Sequence, residues 1–209
     1  MNLPKKDSLG HPYLSYSQIN TFKNNKQDFI NRYILNKPFE GNEYTDFGLK
    51  VGTALEKNNF NDFTDQEMGI LKQCTRLDWF ERKTTLEYDG FYIMGFIDTI
   101  SDDYNRIIDY KTGGSGKEFQ YLSKDYTQIQ LYALSIRQET GITPTKGSVE
   151  FIRREGNAFR GEQLLVADEK PIILDIDLSE NRLKEVYWNT LEIAKQIEKF
   201  YNNYLKNNV

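Results

Sequence analysis

The sequence is poorest in the residues that build thiolate and imidazole chemistry. Among 209 residues there is one cysteine, Cys74, and one histidine, His11. A lone cysteine excludes an intramolecular disulfide, a cysteine-rich zinc site and a four-cysteine iron–sulfur cluster. A lone histidine excludes a His-rich metal site, and a Ser-His-Asp triad would have to use His11. No apolar run is long enough to span a bilayer. The first ten residues lack the apolar core of a signal peptide and the arginine-rich pattern of a transit peptide, so the expected setting is cytoplasmic and reducing. A Gly-rich loop between a first strand and a helix is also missing, which leaves dinucleotide and P-loop readings unsupported. Net charge is small: 27 Lys and Arg against 31 Asp and Glu give −4. That excludes a uniformly basic nucleic-acid binder but not a local basic groove.

What is present is sufficient for a core. Apolar residues make up 38% of the chain and aromatics 14%, a globular composition without repeats or low-complexity linkers. The expected organisation is a mobile polar segment, 1–12, followed by a single domain, 13–209. Ser17 is placed to cap a helix with apolar positions at Ile19, Phe22, Phe29, Ile30, Tyr33 and Ile34, stopped by Lys37-Pro38. Further helices are expected over 47–60 and 66–77. Residues 83–88 and 91–100 read as strands joined by Asp89-Gly90, a hairpin turn signal. A strand at 106–110 and a flexible break at 112–116 follow. Then come a helix over 126–139, a strand over 146–153, weaker strands at 159–166 and 172–176, and a long helix capped by Ser179. The fold class is mixed α/β (α+β): a central mixed sheet flanked by helices.

The informative residues are carboxylates and one lysine. Asp98 and Asp109 each sit in an apolar strand, on neighbouring strands that let them converge. Facing carboxylates on half-buried strands are costly unless a cation stands between them. Oxygen-only ligands favour Mg²⁺ or Mn²⁺. Lys111 lies two residues after Asp109 and so on the same strand face, where it can position a water or stabilise phosphate charge. The plainer alternative is an ion pair between Lys111 and one aspartate. Two helices extend the constellation. Gly48 and Gly52 would let a helix approach the sheet, and Glu56, one turn on, would supply a third carboxylate. Gln128 and Tyr132 share a helix face and could reach a phosphate or the lysine.

The order of these elements resembles the PD-(D/E)XK nuclease superfamily, specifically its RecB-like exonuclease branch. Leu14-Ser15-Tyr16-Ser17-Gln18-Ile19 resembles the opening LSxSxL segment. Gly52 to Glu56 matches the helix bearing the first metal-site residue, and Gly95-Phe96-Ile97-Asp98 the GxxD strand. Ile107 to Gly113 matches hhDxKTG, and Gln128 to Tyr132 matches QxxxY. The resemblance implies a restriction-endonuclease-like core with one or two Mg²⁺ or Mn²⁺ ions. It implies Asp98, Asp109 and the Tyr110 carbonyl as metal ligands, with Lys111 positioning the attacking water. Gln128 and Tyr132 would line the site and, with Ser15 and Tyr16, meet the substrate. The branch commonly has His where this chain has Glu56; other branches use Glu there. Lys23 to Gln27 carries no cysteine, which excludes the iron–sulfur variant.

The substrate implied is DNA, at single- or double-stranded ends, cut without base-specific readout in repair, recombination or phage replication. A recombination or replication protein is the partner implied, in a bacterial or phage-infected cell. Candidate phosphate contacts are Lys23, Lys26, Lys117, Lys124, Arg137, Arg153, Arg154 and Arg160, with Lys117 and Lys124 foremost because they follow the active strand. Tyr16, Phe119 and Tyr121 could stack on unpaired bases. The competing readings are a structure-specific or restriction-type endonuclease, and a nuclease-fold module that binds DNA or a partner without cutting.

Overall fold

A computed structural model describes residues 1–208. In chain order the elements are β1 (Tyr13–Leu14), α1 (Tyr16–Asn24), α2 (Lys26–Phe29), a π-helical turn (Ile30–Ile34), α3 (Glu43–Lys57), α4 (Asp65–Leu71), β2 (Trp79–Tyr88), β3 (Phe91–Ile100) and β4 (Arg106–Gly113). A 3-10 turn (Glu118–Leu122), α5 (Gln128–Thr140), β5 (Lys146–Glu155), a second 3-10 turn (Ala158–Arg160), β6 (Leu165–Val166), β7 (Ile172–Asp175) and α6 (Glu180–Asn208) complete them. The seven strands form one mixed sheet. β2 and β3 are antiparallel, and β4 and β5 are parallel. The parallel pair is bridged by α5, as a parallel connection requires a crossover.

Local chemistry sets the helix boundaries. Ser15, not Ser17, caps α1: its Oγ accepts the Gln18 amide at 3.2 Å. The expected long first helix breaks at Asn25, whose backbone is extended and whose side chain caps α2. Asparagine makes this local bond more readily than it continues a helix. Capping boxes start α3 (Asn42 with Thr45) and α4 (Thr64 with Glu67), so both helices begin and end earlier than expected. The α3 helix stops at Asn58, which takes a left-handed conformation. Ser179 caps α6, its Oγ accepting the Arg182 amide at 3.4 Å. The weak strand expected at 159–166 is instead the second 3-10 turn and the two-residue β6.

Two cores sandwich the sheet. The larger joins α1, α5 and α6 to one side through residues such as Ile97, Ile107, Ile129, Phe151 and Leu183. The smaller packs α3 and α4 against Ile108, Tyr110 and Ile152. The opposite assignment of Ile107 and Ile108 follows from strand alternation. Residues 1–12, expected to be a mobile lead-in, place Met1 and Leu3 on the larger core. Leu3 is fully buried there, and Lys6 bridges to Pro12 just ahead of β1. A single leucine supplies the apolar anchor that the polar composition of the segment obscures. No helix among the described residues is long and apolar enough to cross a membrane.

Candidate active site

The site lies where the sheet forks. β2 pairs with β3 along one edge, from Trp79↔Ile100 to Tyr88↔Phe91. The other edge of β3 is shared: β1 takes Tyr92 and Ile93, while β4 takes only Thr99 and Ile100. Between them residues 94–98 have no strand partner on that side. The β3–β4 ladder ends at Thr99↔Ile108, so Asp98 and Asp109 would form the next pair in register. Instead, the Asp98 carboxylate replaces a backbone acceptor: its Oδ2 receives the Tyr110 amide at 2.7 Å. The splayed strands are thereby satisfied, and both aspartates are held at the fork.

Asp109 is fully buried. Its Oδ2 meets Lys111 Nζ at 2.6 Å and accepts from the Tyr126 hydroxyl at 3.0 Å. Its Oδ1 is buried without a hydrogen-bond partner. The ion pair therefore forms along β4 rather than across the strands, and it does not exhaust the negative charge. A cavity of about 510 Å³ beside Lys111 is lined by Asp98, Glu56 and Glu81 as well. Burial, then the Asp109 charge, pushes the Asp98 carboxyl up from 3.8 to about 7. Burial works against the Lys111 charge, but Asp109 and Asp98 outweigh it and hold the ammonium above the ordinary lysine range. Lys111 is therefore a standing cation and hydrogen-bond donor at neutral pH. Excess hard oxygen donors, one of them orphaned, fit a hard divalent cation.

The helix glycines play a different part from the one expected. A Cβ on Gly52 would meet nothing within 4 Å, and one on Gly48 would only touch Thr112 Oγ1 at 3.4 Å. Both residues line the cavity, so their smallness leaves space between α3 and the sheet instead of closing it. Glu56 faces this space. Yet among the described residues no three His, Cys, Asp or Glu side chains stand close enough to hold one ion together. Arg76 is spent on the α3 C-terminus, where Nε donates to the Leu55 carbonyl at 2.7 Å and Nη2 to the Glu56 carbonyl at 3.1 Å.

A glycine on β3 does require close approach. A Cβ on Gly95 would stand 2.5 Å from the Tyr132 ring. That contact seats Tyr132 over the open edge of the fork, where its hydroxyl accepts from Gln128 Nε2 at 2.8 Å. The first residue of the GxxD segment and the last of QxxxY are thus one packing unit. On the far side of Lys111 a second cavity, about 610 Å³, is walled by Tyr16, Asn20, Arg32, Gln120, Tyr121 and Gln128. Lys111 is the wall common to both.

The structure therefore gathers Asp98, Asp109, Tyr110, Lys111, Glu56, Gln128, Tyr132 and Tyr16 around the fork, with Ser15 beside Gln128 and Tyr132 in a smaller adjoining cavity. Lys124 lines a separate cavity with Lys23, and Lys117 is exposed outside all of these. Several candidate phosphate contacts are engaged elsewhere. Lys23 pairs with Asp125 at 2.6 Å, Arg137 with Glu180 at 2.8 Å, and Arg153 with Glu118 and Glu169. Three residues at the site were not singled out from the sequence: Tyr126, which holds Asp109, Arg32 and Glu81. The π-helical turn bearing Arg32 and the backbone of Glu81 have no motif to announce them.

Comparison with known proteins agrees with this architecture. The sequence profile of the PD-(D/E)XK nuclease superfamily matches residues 59–200, from just past α3 through most of α6. The chain belongs to that superfamily. A chain from Eubacterium rectale designated an exonuclease has a similar structure, with a TM-score of 0.63 at 15% identity, covering 93% of this chain and 83% of that one. A phage-related exonuclease from Haemophilus somnus 129PT is similar with a TM-score of 0.51 at 14% identity, covering 95% and 97%. No curated protein matches the chain in sequence.

Proposed function

We propose that the chain is a divalent-metal-dependent DNA exonuclease acting without sequence preference from DNA ends, as one nuclease domain. The observation that carries this reading is the Asp98–Asp109 pair at the fork, with Lys111 on one of its carboxylates and further acids in the same cavity. Asp98 and Asp109 would hold the metal with the Tyr110 carbonyl, and Glu56 would stand beside them; Mg²⁺ or Mn²⁺ suits these ligands. When bound, such an ion supplies positive charge against the scissile phosphate and makes a water more acidic.

The remaining steps fall to the chain's own residues. Lys111, held charged, donates to the attacking water or a phosphate oxygen and stabilises the negative charge that grows there. The Asp109–Tyr126 hydrogen bond fixes the carboxylate that orients the lysine. Gln128 and Tyr132 fix the open edge of the fork, where a phosphate would be placed. The second cavity, on the other side of Lys111, offers Arg32 for a phosphate, amides from Asn20 and Gln120, and the Tyr16 and Tyr121 rings for unpaired bases. In-line attack by water would leave a 5′-phosphate product. Work in repair, recombination or phage replication, inside the cell and beside a partner from that machinery, follows from the same reading.

The test is a time course on end-labelled linear DNA beside a closed circle, with Mg²⁺, Mn²⁺ or EDTA. Metal-dependent loss of the linear substrate with an intact circle is expected. Nicking of the circle would replace the exonuclease with an endonuclease, and binding without any cleavage would replace both with a non-cutting module.

A further inference from the structure

Phe159 is the most exposed large apolar side chain among the described residues, at 89%. It sits on the second 3-10 turn, between β5 and β6. A single exposed ring carries no meaning, but this one is part of a built group. Its centroid lies 5.5 Å from that of the Tyr44 ring, and the Arg154 guanidinium stands over the same Tyr44 ring at 4.0 Å. The turn is fastened to Tyr44 in both directions: the Tyr44 hydroxyl donates to Asn157 Oδ1 at 3.3 Å and accepts from the Ala158 amide at 3.1 Å. Gly156 starts the turn with φ of +87°, and a Cβ there would stand 2.1 Å from the Gln163 carbonyl oxygen on the returning chain. The loop is thus closed tightly around Tyr44, and it holds Phe159 out in water at the expense of apolar burial.

These residues adjoin the fork. Tyr44 lies in the first turn of α3. Gly48, about 6 Å further along the helix, lines the fork cavity with Leu49, Gly52 and Glu56. Arg153, next to Arg154, pairs with Gly113 at the end of β4, the strand that carries Lys111 and Thr112 into the same cavity. The group therefore stands beside the fork cavity, whereas Tyr16 and Tyr121 wall the cavity on the other side of Lys111. Unlike Arg153, Arg154 and Arg160 take part in none of the ion pairs among the described residues. Glu43, Asp46 and Glu162 line a neighbouring cavity, so this surface is not a general polyanion groove. It suits a ligand gripped by its flat faces, with its negative charge placed beside the two arginines.

An unpaired stretch of DNA has that chemistry. In a duplex the base faces are covered by their neighbours; in a single strand they are free to stack on protein rings. We propose that Tyr44, Phe159 and Arg154 form a stacking platform for unpaired bases of the substrate strand. The platform lies across the scissile phosphate from the Tyr16–Tyr121 cavity, with the Arg154 and Arg160 charges available to the strand's phosphates. This role rests on the reading of the fork as a DNA-cleaving site. Every base has a π-face, so the platform tolerates any sequence. It makes single-stranded or frayed ends better substrates than blunt duplex ends.

The test compares wild type, F159A and F159W, as full chains, on a single-stranded oligothymidylate and on a blunt duplex. Affinity is read by fluorescence anisotropy in EDTA, and KM by cleavage in Mg²⁺. F159A is expected to weaken single-strand binding about fivefold or more, the effect of losing one base stack, and to raise KM on that strand. Its thermal midpoint should match that of wild type, because the ring is exposed. F159W, which keeps a flat ring, should bind the single strand as wild type does, and blunt-duplex affinity should hardly change in either variant. Unchanged single-strand affinity and KM in F159A, with wild type still cutting, would overturn the platform and leave the nuclease reading standing. Equal losses on single strand and blunt duplex, or a loss in F159W as large as in F159A, would likewise overturn it. A wild-type chain that binds the single strand through Phe159 yet cuts nothing would overturn the nuclease reading alone, and one that neither binds nor cuts would overturn both.

Discussion

Asp98 carries a carboxyl strongly perturbed by the fork. Its carboxyl is shifted from 3.8 to about 7 by burial and then by Asp109. The folded metal-free protein thus binds this proton more tightly than the unfolded chain does. The resulting contribution to stability is present in full below 3.8 and is lost as pH rises to about 7. In EDTA the Asp98→Asn variant should therefore unfold at a higher temperature than wild type at pH 8, with the difference shrinking towards pH 4; thermal melts across that range check it. The same argument predicts that divalent-ion affinity climbs with pH up to about 7. Gly95 gives a second prediction at this scale. Gly95→Ala would drive a methyl into Tyr132, and overpacking of this kind costs about 1–3 kcal/mol. Denaturant melts should show that loss, and cleavage should fall with it because Tyr132 and Gln128 move together.

At the scale of elements, the strands around Asp98 and Asp109 were the most legible part of the sequence. Asp89-Gly90 fixed the hairpin, and β3 runs over the expected residues, 91–100. β4 extends through Gly113 because β5 pairs with it along its whole length, which overrides the flexibility of Thr112-Gly113. The α1 and α2 break was not legible, since an apolar stripe from Ile19 to Ile34 reads through Asn25. The cap that divides them is a side-chain choice between two local bonds. Nor could spacing foresee that Gly48 and Gly52 would open a cavity, because small residues serve close packing and empty space alike. The candidate site was legible in Asp98, Asp109 and Lys111, whose types and positions carry the chemistry. Glu81, Arg32 and Tyr126 were hidden because each reaches the site through backbone shape or tertiary packing. One element-scale prediction follows from the N-terminal segment. Leu3, fully buried in the main core, should cost about 2–5 kcal/mol when replaced by alanine, as read from denaturant midpoints. A Leu3→Ala variant as stable as wild type would restore the expectation of a loose lead-in.

For the molecule as a whole, net charge is −4 and the cavity at the fork is acidic, so attraction to a polyanion has to be local. Cations on the far side of Lys111, Arg32 above all, are placed to provide it. DNA binding should weaken as salt rises, with a log–log slope that reports few phosphate contacts rather than many; fluorescence anisotropy in a salt series measures it. Arg32→Gln should lower both the affinity and that slope. The central claim concerns the fork itself, and one measurement tests it most directly: degradation of end-labelled linear DNA in Mg²⁺ by wild type, Asp109→Asn and Lys111→Ala, each shown to be folded by its thermal transition. The account predicts that wild type cuts and that both folded variants lose cleavage. Undiminished cleavage by either folded variant would contradict it.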